Sequence, residues 1–328
     1  MTVKLTQEQL QHSLTRVHQV IPPTPQYQWP QLCQHVGTNV WVKHENHTPT
    51  GAFKVRGAIT FMDWLKQAHP DIQGIVTATR GNHGQGQARA ATAAGLSAKI
   101  VVPRGNSIEK NAAMRSFGAH VLEYGQDFNE ACPEAIRIAE EENRFMVPPF
   151  HHALLTGVAT YGMELFQAAK TLDSIYVPIG CGSGICSLIL LRDLLRLKTE
   201  IIGVVSTEAA AAKLSVESGR IVETKTANTI ADGMAVRKPV PEAFEIYSQG
   251  VSRVIAVNDD EIANAMRLYY RYTHNVAEGA GAAPLAALLQ EKTLAKGKNV
   301  AVILCGGNVD TDIFQQVLAG ITPLVTPA

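Results

Sequence analysis

Short apolar runs alternate with alanine-rich helical stretches along this chain, and that alternation restricts its fold more than any single residue does. Parallel strands need a long crossover between them, and a helix is the usual crossover, so the pattern predicts an α/β fold. Residues 75–79, 99–103 and 120–124 read as strands of one compact sheet. Residues 174–179, 201–205, 254–257 and 299–304 read as a second, larger set, with helices over 185–197, 259–273 and 284–294. The segment Met146-Val-Pro-Pro-Phe150 reads as the return from the smaller lobe to the larger one. With 328 residues there is chain enough for two lobes. The expected division is a large domain from 1–72 plus 151–328, with a small domain from 73–150 inserted in it.

Charge removes several classes of partner. The 29 basic and 29 acidic side chains cancel, and no basic run offers a groove for nucleic acid or an anionic membrane. Five cysteines at irregular spacing (Cys33, Cys132, Cys181, Cys186, Cys305) do not make an even disulfide framework, so a reducing cytoplasm is expected. The polar start of the chain reads as an amphipathic helix over 1–10 and not as an export signal, and no stretch reaches the roughly 18 apolar residues of a membrane span. The carboxyl end, soon after Asp310, is read as leaving no room for an appended regulatory domain.

Four segments can carry chemistry. In Thr48-Pro-Thr-Gly-Ala-Phe-Lys54 a single lysine follows a Thr-Gly turn and opens a helix. Desolvation and a helix dipole would lower its pKa and free its amine for a Schiff base; the alternative is an ordinary lysine at a helix start. Thr77-Ala-Thr-Arg-Gly-Asn-His-Gly-Gln-Gly86 follows a strand and precedes a helix, so its amides can bind an anion such as a carboxylate. His83 has no metal partner at helical or hairpin spacing and is read as structural. Ile179-Gly-Cys-Gly-Ser-Gly-Ile185 joins a strand to a helix, the place where a phosphate dianion meets exposed amides, although a tight turn without ligand has the same sequence. Cys181 and Cys186 are poorly spaced for zinc and are read as packing residues. Cys305, at the carboxyl end of the last strand, lies where ligands of open α/β sheets sit; burial, a nucleophile, or a weak partner to a ring nitrogen are all open readings.

In sequence order, Thr50-Gly-Ala-Phe-Lys-Val-Arg-Gly57, Arg80-Gly-Asn-His-Gly-Gln85, Gly180-Cys-Gly-Ser-Gly184, Ile230-Ala-Asp-Gly233, Glu278-Gly279 and Cys305-Gly-Gly-Asn308 resemble the fold-type II pyridoxal-phosphate (PLP) enzymes. Within them the likeness is to the threonine and serine dehydratases and their serine racemase relatives, and it covers residues from about 40 to 310. The resemblance implies a tryptophan synthase β-like architecture of two doubly wound α/β lobes. It implies that Lys54 carries PLP and takes the Cα proton, with Phe53 beside the ring. Gly180, Cys181, Gly182, Ser183 and Gly184 would cradle the phosphate. Asn82 would bond the ring 3-oxygen, and backbone amides from Thr79, Arg80, Gly81, Asn82 and His83 would hold the substrate carboxylate. Gly233 and Glu278 would line the pocket, and Cys305 would face the pyridine nitrogen.

The implied reaction removes water and then ammonia from L-threonine or L-serine, giving a 2-oxo acid, in a homodimer. Other substrates in view are 3-hydroxyaspartate, a bulkier β-hydroxy amino acid, or serine for racemisation. Two departures bear on this. Most relatives have serine where Cys305 stands, although cysteine there resembles the liver-type serine dehydratases. Arg80 occupies the position at which racemases present a serine, which demotes racemisation and leaves two readings of Arg80: it meets a second substrate carboxylate, or it is a surface residue. No metal is expected, since Glu208 is displaced from the position of the glutamate that opens the racemase metal site. Two further readings are a nucleotide-binding oxidoreductase, which lacks a full Gly-x-Gly-x-x-Gly fingerprint and its acidic partner, and a non-catalytic PLP- or amino-acid-binding protein.

Overall fold

The structure, a computed structural model, describes residues 4–126 and 128–325. Two sheets organise it. The larger has six strands: β1 (Gln26–Gln28), β2 (Asn39–His44), β7 (Ser174–Pro178), β8 (Glu200–Ser206), β9 (Arg253–Val257) and β10 (Asn299–Leu304), in the order β1-β2-β10-β7-β8-β9. Only β1 runs antiparallel to its neighbour. The smaller sheet takes β3 (Gly74–Ala78), β4 (Ser97–Val102), β5 (Ala119–Glu123) and β6 (Phe145–Met146) in the order β5-β4-β3-β6, all parallel. Central strands read as unbroken apolar runs because helices cover both faces: Val300 through Leu304 of β10 are all buried. The α/β fold expected from the sequence is the fold observed.

Several boundaries and elements differ from expectation. The first helix is Gln7–His18, set by a capping box between Thr6 and Gln9; of the stretch predicted to be helical, residues 1–3 lie outside the described residues. The helix expected over 284–294 begins at Gly279 and ends at Gln290, and it carries Pro284 inside it, past the first turn, so the proline does not mark its start. β1, β2 and β6 were not expected. Phe145–Met146, whose second residue begins the segment read as a simple return, pairs with Ile75 and Val76. β2 ends in Lys43 and His44, a polar pair that does not read as strand.

Those polar residues are buried with partners. Lys43, Glu45, Arg56 and Glu164 form an enclosed ion cluster: Arg56 Nε donates to Glu45 at 2.7 Å, its Nη1 donates to Glu164 at 2.6 Å, and Lys43 Nζ donates to the same glutamate. The cluster locks β2 to the helices Lys54–Ala68 and His152–Ala168. Burial alone would raise the Glu164 carboxyl, but the facing charges of Arg56 and Lys43 bring it down to about 2. The two helices also cross at small residues. A Cβ on Gly57 would lie 2.7 Å from the Leu154 carbonyl, and one on Gly157 would lie 2.3 Å from that of Arg56. The start of the Lys54–Ala68 helix is thereby fixed from two sides. No helix of the described residues is long and apolar enough to cross a membrane.

Candidate active site

Carboxyl ends of strands from both sheets converge on one cleft, as expected for open α/β sheets. Lys54 is the first residue of its helix, and the chain before it is pinned to the end of β10. Ala52 bridges Gly306, and the Phe53 amide donates to the Cys305 carbonyl at 3.0 Å. The Lys54 side chain crosses the cleft. Its Nζ donates to Ser183 Oγ at 2.8 Å and stands 4.7 Å from the centre of the Phe53 ring. Burial pulls the Lys54 pKa below its usual value, against the opposing pull of Cys181, Cys305 and Glu278. The lysine is therefore biased toward the free amine.

Ser183 begins the helix Ser183–Leu194 directly after β7, and Gly182 turns the chain into it at φ 95°. A side chain at Gly182 would strain that left-handed backbone and put its Cβ 2.6 Å from Ala243. The first amides of the helix have no intrahelical acceptor, so this turn can bind an anion. Gly184 lies against Phe53 and Tyr161, and the Tyr161 hydroxyl donates to the Gly184 carbonyl at 3.3 Å. Gly233, in the short turn Asp232–Met234, packs its carbonyl onto Gly180. The Cys186 thiol donates to the Ala243 carbonyl at 3.4 Å, a packing role. Cys181 borders the Lys54 amine, and burial raises its thiol pKa.

The opposite wall comes from the turn 79–83. Asn82 opens the helix Asn82–Ala93, and its Nδ2 donates to Glu278 Oε1 at 2.7 Å while its Oδ1 accepts from Asn308 at 2.8 Å. Two of the five amides expected to hold a carboxylate are already engaged: Thr79 donates to the Val101 carbonyl at 3.0 Å, and Gly81 donates to Thr79 Oγ1 at 3.1 Å. Those of Arg80, Asn82 and His83 make no such bond among the described residues. The His83 Nε2 is buried without a partner among the described residues, and burial together with the Lys54 charge lowers its pKa to about 3. It is a neutral imidazole. Arg80 is half-buried, with no ion pair or hydrogen bond among the described residues.

Glu278 and Cys305 close the floor. Burial raises the Glu278 carboxyl to about 7, ahead of the lowering effect of Lys110. Its Oε2 is buried and has no hydrogen-bond partner among the described residues. Cys305 donates weakly to Glu278 Oε1 at 4.0 Å, and burial lifts its thiol well above the usual range, so it stays neutral. Residues that the sequence reading gave no role complete the wall: Lys110, whose ammonium pairs with Asp232, and Asn308, which ties Thr50 to Asn82. Lys110 lies shortly after the carboxyl end of β4, and that ligand-side position was the signal available. Among the described residues no group of three or more His, Cys, Asp or Glu could hold a metal ion.

The residues present suit pyridoxal phosphate. A desolvated lysine meets Ser183 of a glycine turn at a helix start, beside the apolar ring of Phe53, and the buried carboxyl of Glu278 keeps one oxygen without a partner among the described residues. Comparison with known proteins bears on the same point. The "Pyridoxal-phosphate dependent enzyme" family matches residues 17–306. The biosynthetic L-threonine dehydratase of Haemophilus influenzae is 33% identical over 92% of this chain, which spans 60% of that protein's length. An L-threonine ammonia-lyase of Geobacter sulfurreducens is 37% identical over 87% of this chain and 71% of its own. The processed form of threonine deaminase isoform 2 from Solanum lycopersicum superposes with a TM-score of 0.88 at 28% identity, covering 98% of this chain and 95% of that one. Motifs, fold and site geometry thus agree, and the chain belongs to the family of pyridoxal-phosphate-dependent enzymes.

Proposed function

We propose that this protein is a PLP-dependent ammonia-lyase that converts a small β-hydroxy amino acid, L-threonine or L-serine, to a 2-oxo acid and ammonia. The observation that carries the reading is the Lys54 amine, desolvated and 2.8 Å from Ser183 at the glycine turn. Lys54 would hold the cofactor and the amides after Gly180 its phosphate, with Phe53, Asn82, Gly233, Glu278 and Cys305 around the ring. Bound there, the cofactor supplies an electron sink for charge developing at Cα. Lys54, as a free amine, takes the Cα proton. The amides of Arg80, Asn82 and His83 hold the substrate carboxylate, and His83 stays uncharged beside them. Cys305 remains a neutral thiol and puts no anion opposite a ring nitrogen. A site of that kind favours prompt loss of the β-hydroxyl over a long-lived carbanion, hence elimination over amino-group transfer.

The test is a product assay. Purified enzyme with L-threonine or L-serine should release 2-oxo acid and ammonia in equal amounts, and release of neither would refute the reading. A second substrate class rests on Arg80, an arginine in the carboxylate turn with no acidic partner among the described residues. It favours 3-hydroxyaspartate, whose second carboxylate an arginine can grip in bidentate fashion. Arg80→Ala would then lose 3-hydroxyaspartate turnover selectively.

The two sheets support a division into a large domain, 1–72 plus 151–328, and a small one, 73–150, that closes over substrate. Solution scattering that shows no compaction with a bound substrate analogue would refute closure. A homodimer is proposed from the family, with sedimentation as its check. Five free cysteines favour a reducing cytoplasm.

A further inference from the structure

Lys110 is a buried cation whose charge is only partly used by the protein. It lies in the helix Ile108–Ser116, which follows β4, and it is 7% exposed. Its Nζ donates to Asp232, the single acceptor this ammonium has among the described residues. An ammonium carries three donors, so two remain for something else. The side chain runs along the back of Gly81: a Cβ there would lie 2.7 Å from Lys110 Cδ and 3.6 Å from its Nζ. A side chain at position 81 would push the lysine stem aside. The ammonium stands at the turn whose own amides are partly spent, since Thr79 and Gly81 donate within the protein.

Asp232 is about one-third exposed, and the turn it opens carries Gly233, whose carbonyl packs on Gly180 of the phosphate turn. Lys110 thus connects the two anion sites of the cleft. Glu278 and Asp310 are the other charges acting on it, and Glu278 in turn accepts from Asn82. Burial works against its charge, but Asp232, Glu278 and Asp310 hold its pKa above the usual lysine value, so the ammonium persists at neutral pH.

We propose that Lys110 is the positioning residue for the substrate α-carboxylate: behind Gly81 it supplies the fixed positive charge that the three free amides of the turn lack, and Asp232 aims it. The inference rests on the reading of turn 79–83 as the carboxylate site. It predicts a preference for the free acid over the amide of the same amino acid, set by Lys110.

The probes are L-alanine, which has no β-hydroxyl to lose, and L-alaninamide, titrated into the holoenzyme with the bound cofactor's visible absorption as the signal. Wild type should bind alanine more tightly than alaninamide. Lys110→Met should weaken alanine by roughly ten- to a hundredfold, the loss expected of a charge-assisted hydrogen bond, and leave alaninamide nearly unchanged. Lys110→Arg should restore most of the preference. Asp232→Asn, which keeps the ammonium, should retain the preference, whereas a lysine that merely clasps the lobes would make Asp232→Asn behave as Lys110→Met does. A Lys110→Met enzyme that still prefers the acid, or that loses both probes equally while melting at the wild-type temperature, overturns the role of Lys110 alone. Wild type that takes acid and amide equally overturns the carboxylate turn and this inference together.

Discussion

Lys54 Nζ and Ser183 Oγ, 129 residues apart in sequence, meet at 2.8 Å across the cleft. One opens a helix pinned to the end of β10, and the other opens a helix that follows β7. β7 and β10 are neighbours in the large sheet, so the sheet itself sets the distance from the amine to the phosphate turn. That relationship explains why the site needs a rigid support beneath the Lys54–Ala68 helix.

The support is the enclosed cluster of Lys43, Glu45, Arg56 and Glu164. Removing one partner strands a buried charge, so Glu164→Gln should cost about 3–5 kcal/mol in a denaturant melt. Acid should act through the same residue. The folded carboxyl lies at about 2 against 4.5 unfolded, so its contribution is complete above pH 4.5 and disappears as pH falls toward 2. The gap between wild type and the variant should narrow over that window.

Glu278 has the opposite sign. Its folded value of about 7 exceeds the ordinary 4.5, so the folded state holds a proton that the unfolded chain has released, and stability falls as pH rises from 4.5 through 7. Glu278→Gln mimics the protonated form. The variant should gain on wild type in melting temperature as pH moves from 5 to 8, and parallel curves would contradict the assignment.

Gly182 at φ 95° should not accept a side chain. Gly182→Ala should destabilise the fold by about 1–3 kcal/mol through backbone strain, with the contact to Ala243 added, and should weaken cofactor binding because the phosphate turn must shift. Equilibrium dialysis with PLP and a urea melt measure the two effects separately.

How far the sequence led can be judged from particular residues. Apolar runs such as Asn299–Leu304 are legible because a parallel strand buried on both faces has no polar alternation to confuse it. Lys43 and His44 hid β2, since their burial depends on Glu164 and Trp29, which are brought there only by the fold. The glycine turn and Lys54 were visible as local motifs. Lys110 was not, because its meaning comes from Gly81 and Asp232, which lie on distant segments of the chain. The engagement of the Thr79 and Gly81 amides was equally invisible, since a sequence shows that amides exist but not which are already spent.

The most direct test of the central claim is the visible absorption of purified protein loaded with PLP, wild type beside Lys54→Ala, with an ultraviolet circular dichroism spectrum of each. Wild type should show a Schiff-base band that is absent from Lys54→Ala, while both proteins show the same folded spectrum. A band that survives in the variant, or a wild type that stays colourless with added PLP, would contradict the claim.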